Sequence, residues 1–153
     1  DRVIVGECRG AEALDMLQAM NTGHDGSLTT IHANSAQDVV LRLEVMVQSA
    51  ADLPIASIHR QIASAIDLVV QVARLKDGSR RVCQVTEFVE VDPEKGGIRT
   101  KDLFLLDRDD AEGHLNPTGR LPTFMGQLIE NKLIQLDSFY LDPASQQPAA
   151  VSI

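Results

Sequence analysis

Glu7 is the first residue whose type and position could serve chemistry. It follows Gly6 and the continuous apolar run at residues 3–5, which is typical of a fully buried parallel strand. Ligands of open α/β sheets bind beyond the carboxyl ends of the strands. A carboxylate at that position can orient a water molecule or hold Mg²⁺ through water. The alternative is a structural ion pair between Glu7 and Arg9.

Two histidines flank a second strand-like run. His24 lies in a Gly-rich loop, and His32 follows Thr30 and Ile31. Threonine hydroxyls and imidazole nitrogens at the carboxyl end of a strand can detect a terminal phosphate group by hydrogen bonding. The alternative is a capping histidine beside ordinary strand residues. A metal site built from Glu7, His24 and His32 is also conceivable, although their spacing matches no compact metal motif.

Three arginines, Arg2, Arg9 and Arg42, are candidate phosphate contacts, because a guanidinium group meets phosphate oxygens with a planar fork of donors. Arg42 falls on a predicted helix, where a surface position is the favoured interpretation. The remaining histidines, His59 and His114, are expected to be solvated.

The elements that must position these residues alternate between strand and helix. Ser35, with Asp38 three residues later, is a capping pattern for a helix start. Glu12 begins a run with apolar residues at helical spacing, and its own side chain is expected to face solvent. The predicted elements are strand 3–5, helix 11–20, strand 27–31, a helix from Ser35 and a helix from Pro54.

Beyond Asp67 the sequence changes to strand-like runs separated by turns. Asp77-Gly78 between two such runs is a hairpin signal. We therefore expect an α/β fold with a mixed sheet that is parallel at the start and antiparallel at the end. The predicted elements here are strands 68–75, 81–91 and 98–106, an acidic loop at 107–120 and a helix at 124–136.

The composition excludes several classes of protein. The 153 residues carry 14 Lys and Arg against 22 Asp and Glu, a formal charge of −8 that argues against a nucleic-acid-binding face. Cys8 and Cys83 lie in apolar runs and are expected to be buried thiols, as in a cytosolic protein. No apolar run approaches the ~20 residues of a membrane span.

Residues 1–34 together form a far more specific signal than any of these motifs alone. The run DRVIVGECRGAEALDMLQAMNTGHDGSLTTIHAN resembles the type II/IV secretion ATPase superfamily, and most closely the CpaF-type ATPases of Tad (Flp) pilus assembly. In that family, an apolar strand followed by Gly-Glu is the Walker B element. The run GHDGSLTTIH at residues 23–32 resembles the family's histidine box.

The resemblance implies roles for single residues. It makes Glu7 the catalytic glutamate and His32 its partner in the site, with Arg9, His24 and Thr30 lining the nucleotide. It also implies a RecA-like fold, ATP with Mg²⁺ as ligand, a homo-hexamer, and work on platform proteins at the cytoplasmic face of the inner membrane. Residues 1–106 would be the C-terminal half of that ATPase domain, 107–140 an acidic loop and helix, and 141–153 a disordered tail.

Two departures from P-loop enzymes limit what the chain is expected to do. Gly6 stands where many Walker B elements have Asp, so direct Mg²⁺ ligation from that position is impossible and the ion would be held near Glu7 through water. The sequence also contains no G-x-x-x-x-G-K-[ST] phosphate loop. We expect a fragment that is inactive alone, with that loop upstream of residue 1.

Two alternatives remain open at this point. One is a VirB11-like ATPase of type IV secretion. The other is a degenerate, non-catalytic module that docks on an intact motor.

Overall fold

The computed structural model describes residues 2–107 and 113–134. Residues 1–120 and 121–153 form two separate units. The described part of the first unit contains three helices, a two-stranded sheet and a four-stranded sheet. The predicted 141–153 tail lies outside the described residues. The elements are β1 (Ile4–Val5), α1 (Glu12–Asn21), β2 (Leu28–Thr29), α2 (Ala36–Ala50), α3 (Ile55–Ala65), β3 (Leu68–Arg74), β4 (Arg80–Val91), β5 (Ile98–Leu106), β6 (Leu115–Pro117) and α4 (Met125–Glu130).

The parallel pair β1–β2 confirms the two predicted strands, in shorter form. Ile4 pairs with Leu28 and Val5 with Thr29. The expectation of a fully buried first strand is wrong, because Ile4 is 74% exposed. Among the described residues β1 pairs only with β2, so one of its edges has no neighbouring strand there.

The three helices form the hydrophobic core beside this pair. In α1 the side chains one turn apart, Ala13, Met16 and Leu17, are buried, as the helical spacing predicted. Helix α2 starts at the predicted cap, where Ser35 Oγ accepts a hydrogen bond of 3.1 Å from the Asp38 N–H. The fully buried core side chains on these helices include Leu17, Leu43, Val47, Ile58 and Ile62.

The antiparallel sheet runs in the order β3–β4–β5–β6. The Asp77-Gly78 signal correctly located the β3–β4 turn, where Gly78 has a φ of +86° that favours glycine. The predicted mixed sheet is thus divided in two, with the parallel pair separate from the antiparallel strands, and the α/β fold class is confirmed.

Two segments differ from the predictions. Within the predicted loop 107–120, residues Leu115–Pro117 form β6, because Leu106 pairs with Leu115 and extends the sheet by one edge strand. In the second unit α4 ends at Glu130 rather than residue 136. Lys132, with a φ of +57°, cannot continue a right-handed helix. None of the helices in the described ranges has the length and apolar character needed to cross a bilayer.

Candidate functional site

Glu7 lies directly beyond the carboxyl end of β1, between two basic side chains. Its Oε1 is 2.7 Å from Arg9 Nε and 2.8 Å from His32 Nε2. The Glu7 side chain is 29% exposed, whereas those of Arg9 and His32 are 72% and 78% exposed. The structure therefore brings three of the sequence-predicted site residues together at a surface that solvent reaches.

The register of the parallel strands explains why these residues meet. Beyond the paired residues, the Cys8 N–H donates to the Thr30 carbonyl at 2.9 Å, so the two chains stay side by side past the strand ends. The Thr30 hydroxyl also donates to the Gly6 carbonyl at 2.7 Å. Thr30 thus joins the two segments that carry Glu7 and His32, and its hydroxyl proton is engaged with the main chain.

The two basic neighbours favour the ionised form of Glu7. The hydrogen bond from Arg9 is the largest effect that lowers the pKa of Glu7 below its ordinary value. Burial opposes it, and the charge of Arg9 and the proximity of His32 lower the pKa further. A carboxylate that stays charged can accept a hydrogen bond from a water molecule, as a water-orienting group must.

Glu12 is a positioning residue that the sequence interpretation missed. Its Oε1 accepts hydrogen bonds from the Arg9 N–H at 2.7 Å and the Gly10 N–H at 3.0 Å. These bonds, the one from Arg9 first, lower the pKa of Glu12. They fix the loop that carries Arg9 at the start of α1. The sequence did contain a signal for this role: Glu12 is an acidic residue in the first turn of a helix, two or three residues after the N–H groups that it binds.

His24 is not brought to Glu7 in this structure. Its Nδ1 lies 3.0 Å from the Ala19 carbonyl, near the end of α1. The Ser27 hydroxyl donates to the His24 carbonyl at 2.6 Å and accepts from the Val3 N–H at 2.9 Å, which ties this loop to the start of β1. The capping alternative therefore describes His24 here, and the alternative metal site with Glu7 and His32 has no support in this arrangement.

A cleft of about 680 Å³ opens beside Arg9 and His32, the two residues that contact Glu7. It presents three basic side chains, Arg9, His32 and Arg42, together with Asp38. Arg42 thus shares this cleft with Arg9 rather than lying on an unrelated face. The cleft is also lined by Cys8, Ile31, Leu41, Val45 and Met46. Its combination of cations and apolar walls suits an organic anion.

The other residues that the sequence analysis discussed have structural or surface positions. Arg2 packs over Gly26 in the loop before β2. Cys8 is buried as predicted, and burial raises the pKa of its thiol, which favours the protonated form. Cys83 is only half-buried. The expectation that His59 is solvated is wrong: it is 9% exposed, because α2 and the β4–β5 turn enclose it. His114 is exposed.

The side chains in this region determine how ATP with Mg²⁺, the ligand that the resemblance implies, could fit. Within residues 2–107 and 113–134, no three His, Cys, Asp or Glu side chains are grouped so that they could hold a metal ion. The basic cleft and the ionised Glu7 fit the outer part of a nucleotide site with water-mediated Mg²⁺. The main-chain cradle for the phosphates has no counterpart in this sequence.

Comparison with known proteins identifies the family. The profile of the family described as type II/IV secretion system protein matches residues 1–105. The chain therefore belongs to the type II/IV secretion system protein family.

Named relatives are found in several bacteria. A protein of Mycobacterium tuberculosis H37Rv, provisionally assigned to conjugal transfer, is 37% identical over 114 residues, which cover 72% of this chain and 31% of that protein. The conjugal transfer protein TrbB of Rhizobium radiobacter is 44% identical over 85 residues, covering 56% of this chain and 25% of TrbB.

A solved structure extends the likeness to the fold. The VirB11 ATPase of the Brucella suis type IV secretion system, in complex with sulphate, superposes with a TM-score of 0.51 at 35% identity. The match covers 55% of this chain and 26% of that one. The matched α/β elements thus share the RecA-like fold of that ATPase. The chain spans between a quarter and a third of the length of these relatives.

Proposed function

We propose that the complete protein is an ATP-hydrolysing motor of a secretion or pilus-assembly machine, and that this chain supplies the water-orienting side of its active site. The observation that carries the proposal is the position of Glu7: an ionised, partly exposed carboxylate beyond a parallel strand, held by Arg9 and His32. Family membership and the likeness to the VirB11 ATPase support the reaction class.

Each residue of the site receives a role. Glu7 orients the attacking water and takes part in its deprotonation. His32 and Arg9 hold the Glu7 carboxylate in place, and Arg9 contributes positive charge toward the phosphates. Thr30 fixes the spacing of the two strand ends, and Arg42 is a further candidate for phosphate contact across the cleft. His24 would line the nucleotide only if its loop moves away from the end of α1.

ATP with Mg²⁺ would be the ligand, with its phosphates held mainly by residues outside this chain. When bound, the metal ion would neutralise the negative charge of the phosphates. Gly6 has no side chain that could bind the ion, and Glu7 would hold it through a water molecule.

The direct test is Glu7→Gln in the complete protein. The amide keeps the volume of the side chain but loses its charge. We expect turnover to fall ~10²–10³-fold or more while ATP binding is retained. Glu90→Gln is the matched control, because Glu90 is also an ion-paired glutamate, bound to Arg99 on an exposed part of the antiparallel sheet. Wild-type turnover in Glu7→Gln would remove Glu7 from the catalytic role.

Within the family, we infer a CpaF-type motor of Tad pilus assembly. Its support is the resemblance of residues 1–34, including the helix sequence Leu14-Asp15-Met16-Leu17-Gln18, and the long hairpin segment that follows Leu75. The second candidate is a VirB11-like motor of type IV secretion, favoured by the conjugal transfer and type IV secretion relatives. Deletion of the gene separates them: loss of surface pili with normal conjugation supports the first, and loss of DNA or protein transfer supports the second.

The working assembly proposed is a homo-hexamer at the cytoplasmic side of the inner membrane, acting on the platform proteins of the machine; nucleic-acid binding is not expected. Mass measurement of the complete protein with ATP tests the hexamer. The non-catalytic alternative makes a different prediction. A start codon close to residue 1, with no phosphate-loop sequence in frame ahead of it, would favour a docking module over a motor.

A further inference from the structure

His59 lies where two helices and a turn meet, away from the Glu7 site. It belongs to α3, and its ring reaches two partners on other elements. Its Nε2 is 2.6 Å from Glu44 Oε1 on α2, and its Nδ1 is 2.6 Å from the Gly96 carbonyl oxygen in the turn between β4 and β5. The side chains of His59 and Glu44 are only 11% and 15% exposed.

Both partners of the ring accept hydrogen bonds and neither donates. A carboxylate and a carbonyl oxygen offer only lone pairs, whereas a neutral imidazole has one N–H and one unprotonated nitrogen. In the neutral form, one nitrogen would therefore face an oxygen without a proton between them. The imidazolium form donates from both nitrogens and satisfies both contacts.

The turn that offers the carbonyl is itself well defined. The Asp92 N–H donates to the Gly97 carbonyl at 2.7 Å, and the Gly96 N–H donates back to the Asp92 carbonyl at 2.8 Å. Asp92 Oδ1 accepts from the N–H groups of Glu94 and Lys95. Gly96 has a φ of +74°, which directs its carbonyl as few other residues could.

We propose that His59 is a pH-sensitive clasp: as an imidazolium it links the β4–β5 turn at residues 92–97 to helix α2, and loss of its proton breaks one of the two contacts and so interrupts this link. The clasp would make the position of this hairpin relative to the helical layer depend on pH. It requires no ligand and is independent of the proposed ATPase reaction.

The charged groups around His59 favour its imidazolium form. Glu44 from α2 is the charged group that faces the ring, and the Gly96 carbonyl faces it from the turn. The acidic Asp92 is engaged by its own turn, and Arg60, next on α3, donates to the Ser57 hydroxyl. Burial by itself opposes charging of the ring, but the bonds to Glu44 and Gly96 outweigh it and raise the pKa of His59. Because this pKa is raised, the contribution to stability is complete below the pKa of the unfolded chain. It is lost as the pH rises through the folded pKa.

The test is a pH titration of the ring nitrogens in the histidine-labelled 153-residue chain, followed by NMR in native buffer and again in urea. We expect both nitrogens of His59 to carry protons near pH 6 and the folded midpoint to lie above the unfolded one. The Gly96 amide signal should shift with the same midpoint. A neutral ring tautomer near pH 6, or a folded midpoint at or below the unfolded one, would overturn the proposal.

Two variants sharpen the test. Glu44→Gln keeps the shape but removes the charge, so the His59 midpoint should fall. His59→Arg is permanently charged and should abolish the pH dependence of the Gly96 signal. A His59 midpoint unchanged in Glu44→Gln, or a Gly96 titration that persists in His59→Arg, would contradict the clasp. If a variant fails to fold, the wild-type titration still decides the question.

Discussion

Two ion-paired glutamates show how differently the two sheets use the same chemistry. Glu7 follows a strand of two residues and is 29% exposed beside Arg9 and His32. Glu87 lies inside a strand of twelve residues and is 1% exposed, with its Oε2 3.3 Å from Lys101 Nζ. Water and ligands reach the first carboxylate and not the second. Position relative to the strand end, rather than residue type, separates a candidate catalytic group from a structural one.

The two sheets also differ in how extensively their strands are paired. The parallel pair has two registered residue pairs and depends on side-chain bonds such as that of Thr30 to Gly6 to stay in place. The antiparallel sheet has long ladders, including seven registered pairs between β3 and β4. Substitutions around the parallel pair should therefore affect activity most, and substitutions within the antiparallel sheet should affect stability most.

The largest effect expected is a complete absence of activity in the 153-residue chain alone. In P-loop enzymes the loop's N–H groups and lysine hold the phosphates, and its Ser or Thr binds Mg²⁺. This sequence contains no such loop. Titration with a fluorescent ATP analogue in Mg²⁺ should show at most weak binding, with no appreciable hydrolysis. Micromolar binding by a monodisperse monomer would contradict this prediction. It would show that the residues beyond β1 and β2 bind ATP without the phosphate loop.

The next effect concerns the antiparallel sheet. Asp102 Oδ1 accepts from the Thr86 hydroxyl at 2.7 Å and the Gln84 amide at 2.8 Å, and Thr86 is fully buried. Asp102→Ala should lower the free energy of unfolding by about 2 kcal/mol, because it leaves a buried donor without its acceptor. Urea unfolding measures this. Asp102→Asn, which keeps one acceptor oxygen, is the control and should lie closer to the wild type.

A smaller effect on turnover is expected at His32, beyond the carboxyl ends of the parallel strands β1 and β2. His32→Ala in the complete protein should lower turnover about tenfold, because one of the two groups that orient Glu7 is lost, a change worth about 1.4 kcal/mol. Exposed His114→Ala is the matched control. His59 cannot serve as one, because it is buried and its loss would disturb the fold. Equal turnover in the two variants would remove His32 from the site.

The meeting of Glu7 and His32 could be expected from the sequence for a physical reason. Glu7 follows an apolar run and His32 follows a second strand-like run, and the carboxyl ends of parallel strands share one edge of a sheet. Helix faces and the Asp77-Gly78 turn were likewise predictable, because they depend on residues a few positions apart. Local periodicity and local caps therefore account for most of the fold.

The features that escaped prediction depend on partners far along the chain. The helical spacing of His59 from Ile55 and Ile62 was a local signal of its burial. Its polar partners are Glu44, 15 residues away, and Gly96, 37 residues away, and no local pattern indicates these contacts. Ile4 has the apolar character of a buried residue, yet its exposure is set by which strands pair beside it. Long-range pairing of this kind is invisible to periodicity.

The smallest effect tests a feature that the sequence did predict, close to the candidate site. Ser35 caps α2 only three residues after His32, and its Oγ accepts from the Asp38 N–H. Ser35→Ala should lower the free energy of unfolding by about 1 kcal/mol, because an N-terminal N–H of the helix loses its acceptor. Ser49→Ala is the matched control on the same helix. Ser49 donates to the Met46 carbonyl instead of capping an N–H, and alanine is the better helix former, so this change should be neutral or slightly stabilising. Urea unfolding of both variants measures the difference, and equal stabilities would show that the Ser35 hydroxyl contributes nothing to where α2 begins.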